Sequence, residues 1–291
     1  LGSNSATDGD VDIAEALLIA WKQWGDNSGY TDAGGRPISY KQEFINYTRG
    51  MAGFKANPLL PGQYWGGVVG IDGYLKGGDS FGELTTWATS AAHPPKYPLA
   101  CGNCTSSTNC GGESYLSYLA PGYLQCFKTE WDSLGDTVMS NQFWRAAFSS
   151  RDIIRQLNAA RPPWSVGTDC YAVADNGNVT FSGNWSNVTE GVRTPMRNAL
   201  DYLWYGEQAY HWDPVTHEVL AGGPGVNIQR SMASKLSQLF WDPRQAPASN
   251  PPYSASSGLN FWGPSQVQVG IDQNGVMSTG NHIPVVIGPA A

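Results

Sequence analysis

The chain has 291 residues, 41% of them hydrophobic and 14% charged, with a formal net charge of −7. That balance argues against nucleic acid and anionic membranes as partners, and no apolar run approaches the roughly 20 residues that span a bilayer. The length suits one large domain, and 12 Trp, 14 Tyr and 9 Phe suit stacking on flat ligands such as sugar rings.

The first element is residues 6–24. Asp8, Asp10 and Asp12 stand at the mouth of a helical pattern in which Ile13, Leu17, Ala20 and Trp24 recur at helical spacing and predict the buried face. Thr7, Asp8 and Asp10 are all candidate N-caps, and acidic groups there suit the helix dipole. Lys41 to Phe54 is the next predicted helix, with Phe44 and Tyr47 on one face. Pro121 to Trp131 follows, with Pro at the first turn. Ser140 to Asn158 repeats Phe143, Ala147, Ile154 and Leu157 and stops before Pro162-Pro163. Arg193 to Trp204 carries Met196, Ala199, Leu200 and Leu203, and Arg230 to Trp241 carries Met232, Leu236, Leu239 and Phe240. Long Gly/Pro/Ser-rich loops join these helices, and 243–291 reads as a loop-rich tail of the same domain. Period-2 strand patterns are lacking apart from a short candidate at Gln266 to Ile271. The expectation is an all-α body with negligible sheet.

Five cysteines are present, and Cys101, Cys104, Cys110 and Cys126 lie in a Gly/Ser/Thr-rich setting that favours disulfides over a zinc knuckle, leaving the odd cysteine free or paired outside the chain. Five Asn-x-Ser/Thr sequons, at Asn46, Asn103, Asn178, Asn184 and Asn187, add to the expectation of a secreted glycoprotein. The tail from Ile283 is too short for a lipid-anchor signal.

The string Ala6-Thr7-Asp8-Gly9-Asp10, then Ile13-Ala14, then a small-apolar helix ending in Trp24, resembles the signature of glycoside hydrolase family 8. Ser117-Tyr-Leu-Ala-Pro-Gly-Tyr resembles the family's Ser-Tyr-Phe-Ala-Pro segment, and Thr189-Glu-Gly-Val-Arg-Thr-Pro-Met-Arg-Asn-Ala-Leu-Asp-Tyr resembles its Tyr-Asp-Ala-x-Arg-x-x-x-Arg-x-Ala-x-Asp-Tyr segment. The resemblance runs over about residues 5–210 and implies an (α/α)6 barrel, incomplete in this chain, that hydrolyses β-1,4-linked glycans endo-wise with inversion. It matches Asp8 to the family's active-site Asp, Arg193 and Arg197 to two conserved arginines, and Tyr118 to the aromatic of the second segment; Asp10 and these three are expected to bind substrate. Glu190 falls where many members carry the general base, Asp, and its extra methylene is a departure. Its structural alternative is a cap for the helix near Arg193.

Glycoside hydrolysis needs two carboxyl groups with tuned pKa values. At a helix N-terminus, Asp8 is suited to staying ionised and accepting hydrogen bonds rather than donating a proton. The family's general acid belongs to a Glu-Gly-x-Gly-Tyr-like segment well before the Asp8 helix, and this sequence starts with Leu only seven residues before Asp8. An upstream companion segment is therefore expected to supply the acid. The alternative is an inactive family member used for glycan binding, self-assembly or extracellular assembly, with glycans at Asn184 and Asn187 obstructing a cleft. No cofactor and no metal are expected, since His93, His211, His217 and His282 lack metal-ligand spacing. The expected partner is a β-linked polysaccharide or oligosaccharide. Trp131, Trp164, Trp185, Trp204, Tyr205 and Trp212 are each either sugar platforms or core.

Overall fold

The computed structural model describes residues 5–53, 67–70, 72–78, 84–85, 114–160, 170–182, 193–206, 210–213, 218–221, 270–271 and 277–278. The main helices are α1 (Thr7–Trp24), α2 (Tyr40–Met51), α3 (Pro121–Ser133), α4 (Thr137–Ala160) and α5 (Arg193–Tyr205), with a 3-10 turn at Leu116–Tyr118. Their spans follow the apolar periodicities closely. The predicted helix at 230–241 lies outside the described residues.

Local chemistry sets the ends. Ser39 caps α2, its Oγ accepting from the Gln42 N–H at 2.9 Å. Pro121 opens α3, where its missing N–H costs nothing. The start of α1 departs from expectation: Ala6 occupies the cap position and no side chain caps the helix. Thr7 is turned inward instead, and its hydroxyl donates to the Lys76 carbonyl at 2.5 Å.

Lys76 belongs to a strap (67–70 and 72–78) that runs beneath the helices. The Gln142 side chain donates to the Gly70 carbonyl at 2.6 Å, Ser149 to that of Gly73 at 2.7 Å, and the Tyr171 hydroxyl to that of Leu75 at 2.9 Å. Gly73 sits at φ +85°, and a Cβ there would lie 2.7 Å from the Arg145 Cβ, so both conformation and space demand glycine.

Phe44 is fully buried at the centre of the core. Its ring lies 6.2 Å from Trp21, 5.7 Å from Phe127 and 6.4 Å from Trp131, and Phe127 continues edge-on to Phe143 at 5.4 Å. Phe143, Ala147, Ile154 and Leu157 are all buried, as their spacing predicts. Trp131 belongs to this core and is no sugar platform; its indole N–H donates to Thr48.

Two faces differ from expectation. In α1 the buried stripe is Val11, Ala14 and Leu18; of the expected stripe Ala20 is buried and Leu17 packs half-buried against the core, whereas Ile13 is 48% and Trp24 69% exposed. Both stripes are apolar at helical spacing, and the side turned inward is the one shared by Thr7. In α5 the predicted apolar stripe faces out: Met196, Ala199 and Leu203 are exposed, and the buried residues are Thr194, Arg197, Asn198 and Asp201. The physical reason is that polar partners on α1 and α4 claim this face.

The body is helical, but the expectation of negligible sheet needs correction. Small antiparallel pairs decorate the loops: β1 (Asn27–Thr31) with β2 (Pro37–Ser39), β3 (Ser114–Tyr115) with β4 (Cys170–Val173) and β5 (Val179–Ser182), β6 (Tyr210–Asp213) with β7 (Glu218–Ala221), and β8 (Gly270–Ile271) with β9 (Met277–Ser278). Such two-residue to five-residue strands escape period-2 reading. β8 falls within the candidate strand at Gln266 to Ile271. Among the described residues no helix is long and apolar enough to cross a membrane.

The face of α1 is directly testable. Leu18→Ala is expected to cost about 2–5 kcal/mol of unfolding free energy, and Ile13→Ala to stay within about 0.5 kcal/mol. Urea denaturation of both variants checks this; the reverse order would restore the Ile13 stripe as the buried one.

Candidate active site

The site grows from the two ends of the resemblance. Asp8 and Asp12 lie four residues apart on α1 and share one side of the helix. Arg193 and Arg197 are four apart on α5. They pair in order: Arg193 Nη1 with Asp8 Oδ2, and Arg197 Nη2 with Asp12 Oδ1 at 2.7 Å. Because both numbers rise together, the two helices run parallel. The rungs differ in exposure. The Asp8 and Arg193 side chains are half-buried, while Arg197 is 2% exposed and Asp12 53%. Arg197 also reaches the Tyr118 backbone carbonyl at 3.4 Å, so the 3-10 turn sits beside the second rung. There the rings of Tyr115 and Tyr118 lie 4.9 Å apart, both half-buried.

Beneath the rungs the stripe on α5 continues to Asp201, fully buried and paired with Arg151 of α4 (Nε to Oδ2 2.9 Å, Nη2 to Oδ1 2.5 Å). Arg151 also donates to Gln125 Oε1 at 2.5 Å, tying in α3. A close approach of α3 to α5 permits this, since a Cβ on Gly122 would come within 3.1 Å of the Asp201 Cα. Tyr123 stacks on Trp204 at 5.7 Å with rings 28° apart.

Asp10 does not join Asp8 and Asp12. Two residues correspond to about 200° around a helix, so Asp10 points the other way, is 9% exposed, and accepts the Tyr47 hydroxyl at 2.7 Å. Burial, then that bond, raise the Tyr47 pKa. The place of Asp10 is a packing contact with α2 rather than the expected substrate contact.

Glu15 went unnoticed in the sequence. It is 6% exposed on α1, and its buried Oε2 has no hydrogen-bond partner. Burial first, and the Asp12 charge second, push its pKa up to about 7. Cys126 is also corrected: it is a free thiol, 3.1 Å from the Tyr205 hydroxyl, and burial pushes it up to about 11. Tyr205 thus faces the protein interior. Glu190, Cys101, Cys104, Cys110, Asn103, Asn184, Asn187, Trp164 and Trp185 lie outside the described residues, as do the side chains of Cys170 and Trp212. Asn46 and Asn178 are described and exposed. Among the described residues no group of three His, Cys, Asp or Glu could hold a metal ion.

Residues 2–72 match the family model described as Glycosyl hydrolases family 8. The chain is 24% identical over 213 residues to Endoglucanase 2 of Ruminiclostridium josui (71% of this chain, 33% of that protein). It is 26% identical over 203 residues to Endoglucanase C of Ruminiclostridium cellulolyticum (69% and 31%). The match therefore spans about a third of each endoglucanase's length. Among solved structures, a Beta-1,3-1,4-glucanase from Paenibacillus sp.X4 superposes with TM-score 0.57 at 18% identity, covering 99% of this chain and 56% of that one. A reducing-end-xylose releasing exo-oligoxylanase complexed with xylose superposes with TM-score 0.57 at 14% identity, covering 100% and 55%. The fold is that of their (α/α)6 barrel, over rather more than half of its length.

The raised Glu15 pKa gives a pH-dependent stability. In the unfolded chain Glu15 titrates near 4.5, and in the fold near 7. Its neutral form is therefore favoured by folding, and stability present below pH 4.5 is lost as pH rises through 7. The loss is about 3 kcal/mol at most. Denaturant titrations at several pH values should show this slope in the wild type and a flattened one in Glu15→Gln; equal slopes would contradict it.

Proposed function

We propose that this chain, a member of glycosyl hydrolases family 8, forms part of a secreted glycoside hydrolase that cleaves β-1,4-linked glycan within the chain, with inversion. The single observation that carries this reading is the pair of parallel Asp–Arg rungs, Asp8–Arg193 and Asp12–Arg197, beside the Tyr115–Tyr118 ring pair. Carboxylates fixed by guanidinium groups are strong, oriented acceptors for sugar hydroxyls, and aromatic rings offer a stacking surface for pyranose faces.

In this reading Asp8 holds the sugar at the reacting position. Arg193 fixes the Asp8 carboxylate and keeps it from swinging toward solvent. Arg197 and Asp12 form the next contact along the same wall. Glu190 is the candidate base, activating a water on the face of the sugar opposite the leaving oxygen, the geometry that gives inversion. The acid that protonates the leaving oxygen belongs to a companion segment equivalent to part of the relatives beyond the matched third. The exposed sequons at Asn46 and Asn178 support an extracellular location. The non-catalytic alternative has no specific observation in its favour.

Calorimetric binding of cellotetraose and xylotetraose to the 291-residue chain tests this. Binding is expected, weakened about tenfold or more by Asp8→Asn, since one charged hydrogen-bond acceptor is worth about 1.5–3 kcal/mol. Arg36→Ala, in the distant β1–β2 hairpin, should leave it unchanged. The chain by itself is expected to turn over soluble β-glucan near background. Failure to bind either oligosaccharide, or indifference to Asp8→Asn, would overturn the reading; robust turnover would place the acid within these residues.

A further inference from the structure

Asp8 stands on the first turn of α1, and no side-chain cap fixes that turn. Ala6 occupies the cap position and supplies no side-chain oxygen to the leading N–H groups. The strap takes that place. The Thr7 N–H donates to the Gly77 carbonyl at 3.4 Å, and the Thr7 hydroxyl donates to the neighbouring Lys76 carbonyl at 2.5 Å. Thr7 is fully buried, and its hydroxyl bond joins residues 69 apart in sequence. Helix ends ordinarily fray. This one is pinned at side chain and backbone, one residue before Asp8.

The strap is itself held on several sides. Its two arms are cross-bonded, the Lys76 N–H to the Val68 carbonyl at 2.9 Å and the Gly70 N–H to that of Tyr74 at 2.8 Å. The Val69 N–H reaches the Met51 carbonyl at the end of α2 at 3.0 Å. From α4, Gln142 and Ser149 donate to Gly70 and Gly73; from β4, Tyr171 donates to Leu75, one residue before Lys76. Each of these side chains meets a backbone carbonyl, so they fix the path of the strap.

The other half of the first rung is referenced to the same helix. Arg193 stands on α5, and the buried Arg151–Asp201 pair fixes α5 to α4 with bonds of 2.9 and 2.5 Å. Thus α4 reaches Asp8 through Ser149, the strap and Thr7, and reaches Arg193 through Arg151 and Asp201. The Asp8–Arg193 pair closes the loop between the two arms.

We propose that Thr7 is a positioning residue for Asp8: by anchoring the first residue of α1 to the strap, it holds the Asp8 carboxylate where Arg193 meets it. The requirement is for a hydroxyl. Ser retains one, whereas Val keeps the branched shape and leaves the Lys76 carbonyl without that donor. A loosened first turn misplaces the acceptor that a sugar hydroxyl would meet, and small misplacements are costly. That consequence rests on the glycan-binding reading; the anchoring of the rung does not.

Two measurements on the 291-residue chain separate these claims. In a double-mutant cycle read by urea unfolding, Thr7→Val and Arg193→Ala should depart from additivity by at least about threefold in the unfolding equilibrium constant, because each loosens the same rung. Calorimetric cellotetraose affinity should fall about fivefold in Thr7→Val, stay within about twofold of wild type in Thr7→Ser, and fall no further when Thr7→Val is added to Asp8→Asn. A purely structural role would lower the unfolding midpoint of Thr7→Val and leave affinity per folded molecule unchanged. That result, an additive unfolding cycle, or a full further loss on top of Asp8→Asn overturns the proposal. Should Thr7→Val fail to fold, Tyr171→Phe, which frees the strap at Leu75, takes its place in both measurements with the same expected pattern. A non-additive unfolding cycle without glycan binding by the wild type upholds the anchoring and sinks the glycan-binding reading.

Discussion

Two helices 185 residues apart in sequence are joined by charge. The helices α1 and α5 run parallel and are bridged by Asp8–Arg193 and Asp12–Arg197, and every feature of the candidate site hangs on those two rungs. An apolar seam would have left a sealed core. Long arginines reaching across leave a polar wall, fit for hydroxyl-rich ligands. The same constraint explains why α5 turns its apolar side outward: the inner side is committed to Arg197, Asn198 and Asp201.

Buried charge is expensive unless paired and further bonded. The structure meets that demand unevenly. Asp201 and Arg151 form a two-bond pair with Gln125 attached, a rigid floor. Arg151 Nη1, Arg197 Nε and Glu15 Oε2 are each buried without a hydrogen-bond partner. The Arg151–Asp201 pair fixes α4 to α5, and the two Asp–Arg rungs above it join α5 to α1. Below both, the Phe44–Phe127–Trp131 cluster and the strap around Gly73 supply ordinary packing, so the polar layer can be tuned without dissolving the core.

Much of this was legible in the residues. Helix spans follow apolar spacing because propensity, Pro121, Ser39 and packing agree. Asp8, Arg193 and Arg197 stand out through their setting, and the four-residue steps in both helices already imply that they can face one another. Three things were hidden. The two apolar stripes of α1 are equivalent in sequence, and the choice between them depends on the strap that binds Thr7. The inversion of α5 follows from partners on other helices, which periodicity does not see. Glu15 looks like any helical glutamate, because burial is a tertiary property. The Arg193-Arg197-Asp201 stripe is the signal that would have found the inner face of α5: charges at i, i+4 and i+8 mark one side as surely as apolar residues do.

The central claim is that the Asp–Arg rungs hold α1 to α5 as energetically coupled pairs. A double-mutant cycle on Asp12→Ala and Arg197→Ala, read by urea unfolding, measures this directly. The account predicts a coupling of about 1 kcal/mol or more, since Arg197 is buried and loses its charged partner. Strict additivity of the two single variants would mean that the rung is a passive surface contact and would contradict the account.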